Sequence, residues 1–193
     1  MASQKSIEAV APKRQRGRER VAAILDAAAQ LFIEQGQAVT MTEIAARSGT
    51  AIGSLYRFFP TREALADVLL QRYAEHMRQA LDALAARAPD LTPDALADAL
   101  LALSLDLRTE RAAAVVLADL HDASQLRQQL RQTMRTRVAG ILVRAGRVPA
   151  ERAADAALAV ITVVRGAGAL ANQPNSAGAI AELRRLLQRY LAD

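Results

Sequence analysis

Ser54, Tyr56 and Arg57 set a hydroxyl, a phenol and a guanidinium within one helical turn, in a stretch where Ile52, Leu55, Phe58 and Phe59 recur at helical spacing. Donors projecting from a helix whose other face is apolar suit the major groove of duplex DNA. Phosphate oxygens accept from hydroxyls and phenols, and a guanine edge accepts a bidentate Arg. Pro60 closes this helix.

A second short helix must hold the first in place. Thr40 stands three residues before Glu43, the spacing of a capping box that satisfies the free backbone N–H groups of a helix start. Ile44 and Ala45 then provide an apolar and a small contact, the helix stops near Ser48, and Gly49 falls where the chain must turn. Alone, this pattern also fits an ordinary helix pair; its surroundings favour DNA. Upstream, residues 20–36 form an amphipathic helix with Ile24, Ala27, Ala28, Leu31 and Phe32 on one face and Gly36 past its end. Downstream, Thr61 is an N-cap, and Arg62 lies in the first turn, where a cation opposes the helix dipole unless a phosphate faces it.

The segments ILDAAAQLF (24–32), Gly36, TMTEIAARSG (40–49), GSLYRFFP (53–60) and REAL (62–65) together resemble the N-terminal DNA-binding domain of the TetR/AcrR family of bacterial transcriptional regulators. The resemblance implies that Thr40 and Tyr56 hold phosphates and that Thr42 lies near the backbone or a groove edge. It places Ser54 and Arg57 on the recognition helix and Arg62 where the family has a phosphate-contacting Lys. Ala51 and Ile52 depart from the polar pair common at the start of that helix. Two roles are open to Ile52: contact with a thymine methyl, or packing against the first helix.

The 193 residues carry a net charge of +5, 52% hydrophobic residues, 9 Gly, 6 Pro, and neither Cys nor Trp. Disulfide and thiol chemistry are excluded. Alanine and leucine abound and no alternating strand pattern appears, so the fold class is all-α, with about nine helices. No apolar run is expected to reach the ~18 residues of a membrane span, and the N-terminus lacks an apolar signal core, so the expected location is cytoplasmic, without a membrane. Within residues 1–20, six cations face two acids, giving +4. Residues 1–17 are accordingly read as a disordered basic arm, with Lys13, Arg14, Arg16 and Arg18 tracking phosphates or entering a minor groove. Residues 18–65 are the helix-turn-helix domain, and 66–193 a helical effector-binding and dimerisation domain.

The later helices have legible limits: 61 to about 87; from Thr92-Pro93-Asp94 to about 109; a shorter one to about His121; Ser124 to Gly146; Pro149 to about Ala171; and a last one to Tyr190. The segment 153–171 is apolar around most of its circumference and must be buried on several sides. By resemblance, it and the amphipathic 180–191 pair with their copies in a homodimer as a four-helix bundle. Val160, Val163, Val164, Ala167, Leu170, Leu183, Leu186 and Leu187 are the expected interface, and a near-palindromic operator follows from the two-fold symmetry.

The family resemblance further implies a small-molecule effector bound among the middle helices, which releases a repressor from its operator. Between Tyr73 and Tyr190 there is no aromatic residue, so a pocket there is aliphatic, with Tyr73, His76, Met77, Arg108, Asp119, His121 and Met134 as candidate lining residues. The two His lack metal-ligand spacing, so no metal is expected, and no cofactor is called for. Enzymatic motifs are missing, and no enzyme is expected. The alternative reading is a DNA-binding regulator or architectural protein with no ligand response.

Overall fold

The computed structural model describes residues 13–117, 124–171 and 173–193, all of them helix or connecting turn. Three helices make the N-terminal unit: α1 (Lys13–Gln35), α2 (Met41–Arg47) and α3 (Ile52–Phe58). The first begins well inside the stretch expected to be a disordered arm. Lys, Arg, Gln and Glu are good helix formers, and the one interruption, Gly17, costs only about 1 kcal/mol, so the amphipathic pattern from Arg20 onward extends back to Lys13. Residues 1–12 of the expected arm lie outside the described residues.

α4 (Arg62–Arg87) is continuous across the boundary expected at residue 65. Thr61 caps it by accepting from the Ala64 N–H at 3.0 Å. α5 (Pro93–Asp106) starts as its Thr-Pro-Asp sequence demands, with the Thr92 hydroxyl accepting from the Ala95 N–H. α6 (Arg108–Leu117), α7 (Ser124–Arg144), α8 (Ala153–Leu170) and α9 (Ala177–Ala192) complete the order. Gly36, Gly49 and Gly146 adopt φ between 62° and 66°, the left-handed conformation that ends a helix sharply.

One hydrophobic core runs through both halves, from Ile24, Phe32, Ile44 and Leu55 to Met77, Leu96, Ile141 and Val160. α6 packs against both α1 and α4, so the helical domain touches the helix-turn-helix unit directly. A chain of ion pairs fastens this junction. Arg72 of α4 donates to Asp26 of α1 at 2.5 Å and lies 3.4 Å from Glu110 of α6, whose carboxylate also meets His76 Nδ1 at 2.9 Å.

α8 corrects two expectations. Residues 150–170 are long and apolar enough to cross a membrane by length and composition, where no such run was expected. In the fold this segment is a core helix, packed against α5, α7 and α9. Val160, Val164 and Ala167 of α8 and Leu187 of α9, expected at a subunit interface, are buried within the chain itself. Because α8 is apolar almost all round, its periodicity does not mark which face turns inward. Val163, Leu170 and Leu183 are half-buried, and Leu186 is 59% exposed. Leu158 and Tyr190 join Leu186 as large exposed apolar side chains.

Candidate nucleic-acid interface and effector cavity

The entry to α2 is a complete capping box. The Glu43 N–H donates to the Thr40 hydroxyl oxygen at 3.3 Å, while Glu43 Oε2 accepts from the Thr40 backbone N–H at 2.8 Å and from its hydroxyl at 2.7 Å. These hydrogen bonds, side chain first, hold the Glu43 carboxyl below its ordinary value of 4.5. Arg47, at the other end of α2, pairs with Glu34 of α1 at 2.9 Å and tethers the two helices.

After the turn at Gly49, α3 buries Leu55, and Phe59 just beyond it, but not the whole apolar set expected on its inner face. Ile52 is 40% exposed and Phe58 37%. Of the two roles open to Ile52, core packing is therefore set aside; it lies on the same outer surface as Tyr56, 48% exposed, and the exposed Arg57. Thr40, Thr42 and Ala51 are exposed as well, and Ser54 is half-buried. Arg20 of α1, which its position in the sequence did not single out, places Nη1 3.5 Å from Ser54 Oγ. A basic residue one helix upstream gives no local signal that it reaches α3. Arg62 turns back from α4 so that Nη1 meets the Val39 carbonyl oxygen at 3.4 Å, next to Thr40. Arg16 and Arg18 lie along the first turns of α1; the side chains of Lys13 and Arg14 lie outside the described residues.

A second site lies among α4, α5, α6, α7 and α8: a narrow cavity of about 40 Å³ with a largely aliphatic wall. Of the lining residues expected from sequence, it brings together Tyr73 and Met134. Met77 is buried on the same helix as Tyr73 but does not line the cavity, and His76 faces an open groove along α1. Arg108 is exposed and donates to the Leu105 carbonyl. Asp119 and His121 lie outside the described residues. Ser104, Arg111 and Arg165, none of them expected from sequence, line the cavity too. Burial pushes the Tyr73 phenol up, against the pull of Arg111 and Arg165. Burial likewise lowers Arg111, with Tyr73 opposing and the like charge of Arg165 adding to it.

Together these features define a helix-turn-helix protein with a helical domain that encloses a cavity. Residues 24–69 match the family model of the bacterial regulatory proteins of the tetR family. The chain belongs to that family. None of the curated proteins compared with it matches in sequence. Among solved structures it is similar to the TetR transcriptional regulator SCO0520 from Streptomyces coelicolor, 24% identical over 89% of this chain and 97% of that one, with a TM-score of 0.62. A putative transcriptional regulator from Saccharomonospora viridis in complex with choline is 19% identical, covering 90% and 96%, with a TM-score of 0.65. The TetR-like regulator LfrR from Mycobacterium smegmatis in complex with proflavine is 20% identical, covering 92% and 97%, with a TM-score of 0.63. These likenesses extend the shared fold through the helical domain.

Proposed function

We propose that the protein is a transcriptional repressor that binds a near-palindromic operator as a homodimer in the cytoplasm, is released by a small-molecule effector, and catalyses no reaction. The observation that carries this reading is the outer surface of α3, where Ile52, Tyr56 and Arg57 stand exposed on a helix anchored by Leu55 and Phe59. Exposed aromatic and branched aliphatic side chains beside a guanidinium have little reason to face water, and each has a partner in a major groove. In this reading Arg57 reads a base edge and Ile52 a thymine methyl. Tyr56, Thr40, Thr42 and Arg62 position the backbone, and Arg16, Arg18 and Arg20 add phosphate contacts.

The dimer is assigned to the partly exposed seam of α8 and α9, formed by Leu158, Gly166, Leu183, Leu186 and Tyr190, rather than to the α8 face buried in the chain. A Cβ added at Gly166 would stand 3.8 Å from Leu183 Cδ1, so the two helices already meet closely there and present one composite surface. The cavity among α4 to α8 is the effector site. That related folds have been crystallised with choline and with proflavine supports this assignment. Titration of labelled duplexes selected from a random pool tests the function. A tight, salt-sensitive complex with two subunits per duplex is expected, and binding indifferent to DNA sequence would refute it.

A further inference from the structure

The effector cavity is aliphatic except at one end. Leu81, Leu100, Leu103, Leu107, Val160 and Ile161 form its wall, while Tyr73, Arg111 and Arg165 bring a phenol and two guanidinium groups to it. No Asp or Glu lines it. Among the described residues, no hydrogen bond or ion pair engages either guanidinium or the Tyr73 hydroxyl. Ser104, the remaining polar neighbour, donates its hydroxyl to the Val164 carbonyl oxygen at 2.7 Å and is committed.

The placement of Arg111 is built into the helix beside it. A Cβ added at Gly168 of α8 would stand 3.0 Å from Arg111 Nη2 and 3.3 Å from Ser104 Oγ. The absence of a side chain at Gly168 is what lets the guanidinium of α6 lie against α8 and reach the cavity. Two cations brought together at an apolar space repel each other, and Arg111 is also partly withdrawn from water; an anion relieves both costs. A planar carboxylate matches a guanidinium fork and accepts from a phenol as well. The remaining space is narrow and walled by flexible aliphatic side chains, which admits an unbranched chain more readily than a fused ring system.

We propose that the cavity takes an anionic amphiphile, an unbranched aliphatic chain ending in a carboxylate, with the carboxylate held between Arg111, Arg165 and Tyr73. The inference rests on the reading of this cavity as the effector site. It also gives the ligand a grip on the DNA-binding unit. Arg111 draws on α6, whose adjacent Glu110 is tied to Arg72 and His76 of α4, and Arg72 in turn to Asp26 of α1.

The test is calorimetric titration of the full-length protein with decanoate, 1-decanol and decyltrimethylammonium, all below their aggregation concentrations. Decanoate should bind at least about tenfold more tightly than decanol, the size of one charge-assisted contact, and the cation most weakly. Arg111→Met keeps the stem, removes the repulsion and should melt no lower than the parent, while decanoate and decanol come to bind within about twofold of each other. Gly168→Ala is a second variant in which only the mobile guanidinium tip must give way. It should fold normally and lose part of the same preference. Failure of decanoate to bind, equal or tighter binding of decanol or the cation, or an undiminished preference in folded Arg111→Met would each overturn the proposal.

Operator release is measured separately. If decanoate binds through Arg111 yet leaves DNA affinity unchanged, the carboxylate site stands and the release reading fails. If decanol or decyltrimethylammonium frees the DNA while decanoate does not bind, the carboxylate proposal is the one overturned.

Discussion

Arg57 and Tyr56 are neighbours on the same exposed surface, but they are assigned different work. A guanidinium reading a base edge discriminates, so Arg57→Ala should cost about 1–3 kcal/mol on the preferred operator and relax the preference at one position of each half-site. Tyr56→Phe removes a phosphate partner and should weaken all duplexes alike. Comparing the two variants on matched and single-substitution duplexes checks the division. Glu43 supplies a pH signature on the same surface. Its hydrogen bonds to Thr40 lower its carboxyl from 4.5 in the fold, so they stabilise α2 above that value, and the contribution fades as pH falls through the lowered one. Thr40→Val removes the partner hydroxyl. Its melting temperature should fall less steeply than the parent's between about pH 5 and pH 3, as thermal melts followed by circular dichroism would show.

How much of each helix was legible depended on whether its chemistry is local. Thr40 with Glu43, Gly49, Thr61, and Thr92 with Pro93 each act on backbone groups within four residues, and each does in the fold what its spacing implies. Facing is a different matter. Ile52 and Phe58 fall at core spacing on α3, yet a seven-residue helix can bury only a narrow stripe, and Leu55 with Phe59 fill it. On α8 the apolar residues exceed what one face can hold, so Val160 and Val164 turn inward while Leu158 remains exposed. Arg111 was illegible for another reason: the space that admits it belongs to Gly168, on a helix far away in sequence. Among the helices, Gly49→Ala should destabilise by about 1–2 kcal/mol in denaturant melts, because φ of +64° is strained for any residue with a Cβ, although open space surrounds the position. Replacing Arg16, Arg18 and Arg20 by Gln should leave α1 folded and flatten the salt dependence of DNA binding by about 0.9 in slope for each phosphate no longer neutralised.

Across the whole protein, one core joins the two units and α4 runs unbroken between them, so a displacement of α6 has a rigid path to α1. Arg72 is the hinge pin of that path, with Asp26 on one side and Glu110 on the other. Dimerisation is assigned to Leu158, Leu183, Leu186 and Tyr190. Leu186→Asp should therefore give folded monomers by light scattering, with operator affinity reduced by at least about a hundredfold, since one recognition helix forfeits the linked second half-site.

Every one of these assignments depends on two copies of α3 reading two halves of one DNA site. The decisive experiment is selection of bound duplexes from a random library by the purified full-length protein, followed by sequencing. A near-palindromic motif should emerge, its half-site centres about one helical turn apart, roughly 10 base pairs or a small multiple of it, and Arg57→Ala should erase the same position in both halves. Enrichment of a single asymmetric site, or of no motif at all, would refute the two-fold reading.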